Sequence, residues 1–355
     1  MKRYALVLPT VLPLVMAAGI RAQSPPAPPS KVHKIAIGGE GGWDYLTADA
    51  AAKRLYVSRG NRIVVVDTDS ETVVGELTDT PGVHGVALVP DLGRGFTSNG
   101  GDNTVTAFDL KTLEATGKVK VGGRPDAIMF EPESHRVFTY NHGSKDATAV
   151  DPSALSVAGT VALDGVPEAA VADGRGHVFV NLMDKNEVAE FDARSLKVLN
   201  RWSLGDGRRP TGLALDREHR RLFSVCGASA TMVVLDADSG KILATLPIGR
   251  GSDGCVFDPE RGLAFSSNGR DGTLTVVREE APDRFAVAAT IPTQQGARTM
   301  TLDPKTHRIY LSAATAAASA NTKTQTKTAA KAKGKGGGRG RNMVPGSFVV
   351  LVVGD

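Results

Sequence analysis

At five places along the chain an Asp closes a β-rich run: Asp67, Asp109, Asp151, Asp192 and Asp236, with intervals of 42, 42, 41 and 44 residues. A sixth run, GTLTVV, ends at Val277 without the Asp, and a seventh, SFVVLVV, closes the chain. A unit of about 42 residues holds four short strands and their turns, whereas a leucine-rich repeat is shorter and needs a helix. In one unit the strands read as DAIMFEP (126–132), RVFTYN (136–141), TAVD (148–151) and VAGTVAL (157–163). The closing Asp, followed by Ser or Thr a few residues on, as Asp236 is by Ser239, suits a side-chain-bonded turn between third and fourth strands. DADSGK in the same place lacks the ligand spacing and distal Glu of a calcium loop. The 40 Gly, 19 Pro and 5% aromatic residues agree with many short strands and tight turns, and no helical period appears.

The two ends complement each other. VHKIAIGG at 32–39 matches the last strand of a unit, such as ATGKVKVGG at 115–123, and the C-terminal run stops after a third strand. An open solenoid has no use for matching ends, whereas a ring closes through them and loses its exposed edge. The expected fold is therefore all-β, a seven-bladed β-propeller over 32–355, with the last blade closed by the N-terminal strand.

Residues 1–22 read as a cleavable signal peptide. Lys2 and Arg3 precede an apolar run broken by Pro9 and Pro13, and small residues follow. SPPAPPS makes 23–31 a Pro-rich tether. No stable membrane anchor is expected, and the location should be periplasmic or secreted. Residues 313–346 form a basic insert in the last blade, rich in Ala, Thr, Lys and Gly and without an aromatic residue, so it cannot bury enough apolar area to fold. The net charge of +4 includes three basic residues in the leader and seven in the insert, which leaves −6 on the rest.

FTSN, FTYN and FSSN, beginning at Phe96, Phe138 and Phe265, resemble the Tyr-Val-Thr-Asn signature of the YVTN-repeat, YncE-like seven-bladed propellers. GGRPDAIMFEP at 122–132 is similar to that family's strand-entry motif. Arg59, Leu182, Cys226 and Ala313 stand where the Asn would be in the other four units. The resemblance implies a shared architecture. It also leaves open an accessory subunit of a redox or transport system.

In a propeller, the residue four before the end of each inner apolar run projects at the channel mouth. These residues are Asp44, His84, Asp126, Glu168, Thr211, Asp253 and Arg298, and mostly small residues follow them. Two readings of this ring stay open. Arg298 can pair with its ring neighbours Asp253 and Asp44, leaving a solvated ion-pair network. Alternatively, four carboxylates against one Arg form a negative funnel for a cation or an amine, in which Asp44 and Asp126 keep His84 protonated. Some seven-bladed propellers are lactone hydrolases, and His84, Glu168 and Arg298 could be read in that way. No zinc-protease helix, nucleophile elbow or haem-attachment motif occurs. Cys226 and Cys255 are expected to stay unpaired, Trp43 to pack at the rim and Trp202 to lie between blades.

The expected protein is an exported, monomeric, non-enzymatic binding or scaffold propeller without a cofactor. It would engage a protein or small-molecule partner at the mouth, with weak polyanion contact through the insert. Replacing 316–343 by a short Gly-Ser link should leave thermal stability nearly unchanged, since loop length costs little entropy. The same change should abolish any salt-sensitive DNA binding. DNA affinity and salt slope equal to the parent's would place the attractive surface on the blades.

Overall fold

A computed structural model describes residues 27–317 and 343–354. The leader and residues 318–342 of the insert lie outside the described residues. Seven four-stranded antiparallel sheets make up the described chain, with one short 3-10 turn at Pro90–Leu92. Six blades run in simple sequence order from the inner strand outward. In the seventh the order is Met300–Asp303, Arg308–Ala313, Val349–Val353 and then the N-terminal Val32–Ala36. Val32 faces Val353 and Ala36 faces Val349, so the ends of the chain close the ring as the repeat predicts.

Each recurring residue has a physical task. The aromatic that opens the signature, Phe96, Phe138 or Phe265, is fully or almost fully buried, which stabilises each blade by roughly 1.5–3 kcal/mol. The signature Asn ties its strand to the next. Asn99 Nδ2 donates to Thr104 Oγ1 (3.0 Å) and Thr106 Oγ1 (2.8 Å), and Asn268 does the same to Thr273 (3.1 Å) and Thr275 (2.8 Å). Asn141 uses Asp146 (2.6 Å) and Thr148 (2.9 Å). The Asp at the end of the third strand closes the following turn. Asp109 Oδ1 accepts from the backbone N–H groups of Lys111 and Thr112, both at 2.8 Å, and Asp151 does so from Ser153 and Ala154. These carboxylates hold the turns that follow them.

Arg59 replaces the Asn where the ring closes. The residue is 1% exposed, and its guanidinium lies 3.8 Å over the Phe348 ring of blade seven and bonds four carbonyls of the loop entering blade one: Gly38, Gly39, Gly41 and Gly42. Burial, with Arg62 nearby, pulls its pKa down to about 10. Trp43 packs on the same Phe348, with ring centroids 5.7 Å apart. Trp202 stacks on Phe179 in its own blade and lies against Gly240 of the next.

The ends of the insert differ from the expectation that it adds nothing to packing. Ala314 is buried, Ala316 bridges to Met343, and Met343 packs against the core shared by blades one and seven. A Gly-Ser replacement that spares these ends is confined to 318–342, outside the described residues. Both cysteines are free thiols.

Deleting 31–39 should bare the Val349–Val353 strand as an unpaired edge. Loss of a single cooperative melting transition, with aggregation, is the expected result. A truncated protein that melts as the parent does would show that the ring closes without this strand.

Candidate functional site: the channel mouth

The mouth is built by a repeated backbone irregularity. In each of blades one to six the register of inner and second strands breaks at the mouth, between Trp43 and Leu46, Val83 and Val86, Pro125 and Ile128, Pro167 and Ala170, Pro210 and Leu213, and Ser252 and Gly254. A bulge of this kind re-aims the side chain it carries. Asp44, His84, Asp126, Glu168, Thr211 and Asp253 all occupy these breaks, and Arg298 precedes the inner strand of blade seven. The small residues that follow are enforced by crowding at the axis. A Cβ on Gly212 would collide with the backbone of Cys255, and one on Gly254 would come within 3.1 Å of the Met300 nitrogen.

Second-strand polar groups hold the mouth backbone in place. Ser58 and Ser98 accept from the bulged N–H groups of Asp44 (2.9 Å) and Gly85 (3.1 Å). Others reach the next blade: Ser98 donates to the Asp126 carbonyl and Ser267 to that of Arg298, while Asn181 bonds the carbonyls of Thr211 (2.9 Å) and Gly212 (3.0 Å).

Six of the seven expected residues join one network. Arg298 reaches Asp253 (2.5 Å) and Asp44 (3.2 Å), and also donates to the Trp43 carbonyl at 2.8 Å. His84 Nδ1 lies 2.7 Å from Asp44 and 3.3 Å from Asp126. Thr211 sits in its bulge, yet its hydroxyl turns to the carbonyls of Ser252 (3.1 Å) and Val225 (3.3 Å) and adds nothing to the charged ring.

Two members were not foreseen. His142 continues the network, with Nδ1 3.2 Å from Asp126 and Nε2 3.3 Å from Glu168. It occupies the position directly after the signature Asn, where Gly60, Gly100, Gly227 and Gly269 stand in four other units, so an exception to the repeat was its signal. Tyr45 of blade one extends across the axis to Glu168 of blade four, 3.5 Å from its hydroxyl. Below the ring lies a channel cavity of about 170 Å³, lined by Tyr45, Val86, Ile128, Leu213, Asp253 and Met300 among others.

Acid and base alternate around the mouth: Asp253, Arg298, Asp44, His84, Asp126, His142, Glu168. Burial opposes the charge on His84, but Asp126 and Asp44 outweigh it and raise its pKa to about 9. His142 is raised as well, with Glu168 and Asp126 overcoming burial. Burial lifts Glu168 to about 7, with Asp126 adding to the rise and His142 opposing it. Arg298 is held charged by Asp44 and Asp253 in spite of its burial. The funnel of four carboxylates against one Arg is thus largely neutralised at pH 7.

His84 and Glu168 both bind protons more tightly when folded than at their ordinary values of 6.5 and 4.5. The Glu168 contribution is complete below pH 4.5 and lost as pH rises through about 7. The His84 contribution is complete below 6.5 and lost through about 9. Denaturant unfolding should therefore show stability falling between pH 6.5 and 9, with His84→Asn flattening the upper part of that slope. A parent whose stability is level or rises over the window would contradict these couplings.

No protein-family profile matches the chain, and no curated protein matches it. Solved structures do resemble it in fold. A chain of the Kuenenia stuttgartiensis hydrazine synthase is 15% identical with a TM-score of 0.69, covering 77% of this chain and 92% of that one. A chain of the mitotic checkpoint complex is 16% identical with a TM-score of 0.70, covering 86% and 95%. At these identities the likeness is one of fold, and the fold is a seven-bladed β-propeller.

Proposed function

We propose that this protein is an exported, YncE-like binding propeller of the YVTN-repeat kind, which engages a protein or small-molecule partner at the channel mouth and performs no chemistry of its own. The supporting observation is the mouth network itself. Ionisable side chains from six blades converge there, and Arg298, His84 and Asp44 are engaged with one another. A propeller in a binding role also has precedent, since one similar chain belongs to a protein complex. Export rests on the leader-like residues 1–22, and no helix among the described residues is long and apolar enough to cross a membrane.

A lactonase-like reading draws on one specific observation: a Glu168 carboxyl lifted to about 7 sits in the range of a general acid or base. Its other members, His84 and Arg298, both lean on Asp44.

The two readings separate in one experiment. A photo-crosslinking residue at exposed Arg124 or Arg270, in the loops at the mouth, should capture a defined partner from the native envelope. The same residue at Lys111, on the opposite face, should not. Equal capture at both faces, or none, would count against a mouth-binding scaffold. Turnover of simple lactones that His84→Ala abolishes would establish the hydrolase instead.

A further inference from the structure

On the face opposite the mouth, blade six departs from the repeat. In blades one, two and five an Arg that opens the second strand pairs with the turn Asp: Arg54 with Asp67, Arg94 with Asp109 and Arg221 with Asp236. In blade six the equivalent pair is Leu263 with Arg278, and the third strand runs on to Ala281 in a longer hairpin. This extension brings Glu279 to the turn of blade five that follows Asp216. There Asp216 Oδ1 closes its own turn, accepting from the backbone N–H groups of Glu218 (2.9 Å) and His219 (3.1 Å), while Oδ2 lies 2.6 Å from His219 Nδ1. Glu279 Oε2 approaches the same nitrogen at 3.8 Å. Both carboxylates are shut away from water, with side chains 2% and 8% exposed, and Glu279 Oε1 is buried without a hydrogen-bond partner. Burial, and then the charge of Asp216, lifts the Glu279 pKa, with His219 and Arg221 opposing. Arg221 is itself engaged by Asp236 (2.7 Å) and Asp283 (3.0 Å).

We infer that Asp216, His219 and Glu279 form a binding site for one divalent transition-metal ion of the zinc class, which clasps the blade-six hairpin to blade five. This goes beyond the mouth-binding reading and does not depend on it. Two buried carboxylates side by side, one with an unpaired oxygen, call for a positive charge between them. His219 Nδ1 answers Asp216 but stands too far from Glu279 to hydrogen-bond it. The donors converge, because both carboxylates address one ring nitrogen, and a donor atom from each residue lies within 4.8 Å of the others. Ligands about 2.0–2.2 Å from a tetrahedral centre stand about 3.3–3.5 Å apart. The 2.6 and 3.8 Å separations bracket that spacing, and His219, 54% exposed on its turn, has room to move outward as an ion replaces the Nδ1 proton. At the next junction His307 meets Asp258 and Glu260 through opposite nitrogens, so that set does not converge. One imidazole with two carboxylates suits zinc and its first-row neighbours, whereas calcium needs about six to eight oxygens and magnesium keeps most of its waters. The exposed side of His219 leaves the remaining position to water.

Calorimetric titration of the full-length protein with zinc chloride near neutral pH tests the assignment, with cobalt(II) absorption as a second readout. Glu279→Gln and His219→Ala should each weaken binding by at least the roughly 10–100-fold that loss of even an outer-shell partner costs. Zinc should raise the melting temperature of the parent and leave that of Glu279→Gln unmoved. The Gln variant keeps the shape of the side chain and removes the repulsion between carboxylates, so without zinc it should melt no lower than the parent. That keeps the test valid if His219→Ala disturbs its turn. His135→Ala removes an exposed His–Asp pair joined at 2.6 Å and should leave zinc binding unchanged. The assignment is overturned if the parent takes up no zinc, if binding survives both site variants, or if His135→Ala removes it. A parent that ignores zinc but is stabilised by Glu279→Gln would show that the carboxylates share a proton in place of an ion, which also overturns the site.

Discussion

The structure depends on closing a ring of sheets, each of which buries its two faces against its neighbours. A blade alone has two faces to cover and an edge to protect, and only a complete circle covers every face. The pairing of Val32–Ala36 with Val349–Val353 therefore matters beyond its own five rungs, because it locks the first and last parts of the chain into one sheet. Arg59 reinforces the same junction from the mouth side. Its charge is met by four loop carbonyls and the face of Phe348, and it binds the entry to blade one to the core of blade seven. Where three other units use an Asn to tie strands within a blade, this position ties blade to blade.

The mouth follows from the same geometry. Seven inner strands converge on an axis too crowded for ordinary side chains, so in blades one to six a bulge turns one residue upward, and mostly small residues follow. Placing ionisable groups there brings them within a few ångströms while shielding them from water. The resulting alternation of acid and base spreads protons along a chain from Arg298 to Glu168, and it explains why His84 holds its proton to about 9 while Glu168 releases its own only near 7. Desolvation and the neighbouring carboxylates act in opposite senses on the histidines and in the same sense on Glu168, where His142 opposes both.

Architecture was legible in the chain because it is a property of repetition. The interval between the turn Asp residues, the buried Phe of each signature and the matching ends each report a local task that recurs, and each is visible without knowing where the units sit in space. The ring positions were legible for the same reason, since the inner-strand pattern marks the residue that each bulge must carry. Thr211 shows the limit of that rule: the position is equivalent, but its hydroxyl can satisfy itself on the carbonyls of Ser252 and Val225 and so turns away from its neighbours.

What the sequence determined by itself is the number of blades, the order of strands, the closure and the identity of the mouth ring, because all of these depend on period and alternation along the chain. The tertiary structure alone decided who meets whom. His142 enters the network from a turn rather than an inner strand, Tyr45 crosses the axis from blade one to Glu168 in blade four, and Arg298 divides its guanidinium between Asp253 and Asp44. These contacts join residues up to 254 positions apart. Their distances are set by the diameter of the closed ring and the aim of each bulge, quantities that no local pattern of residues encodes.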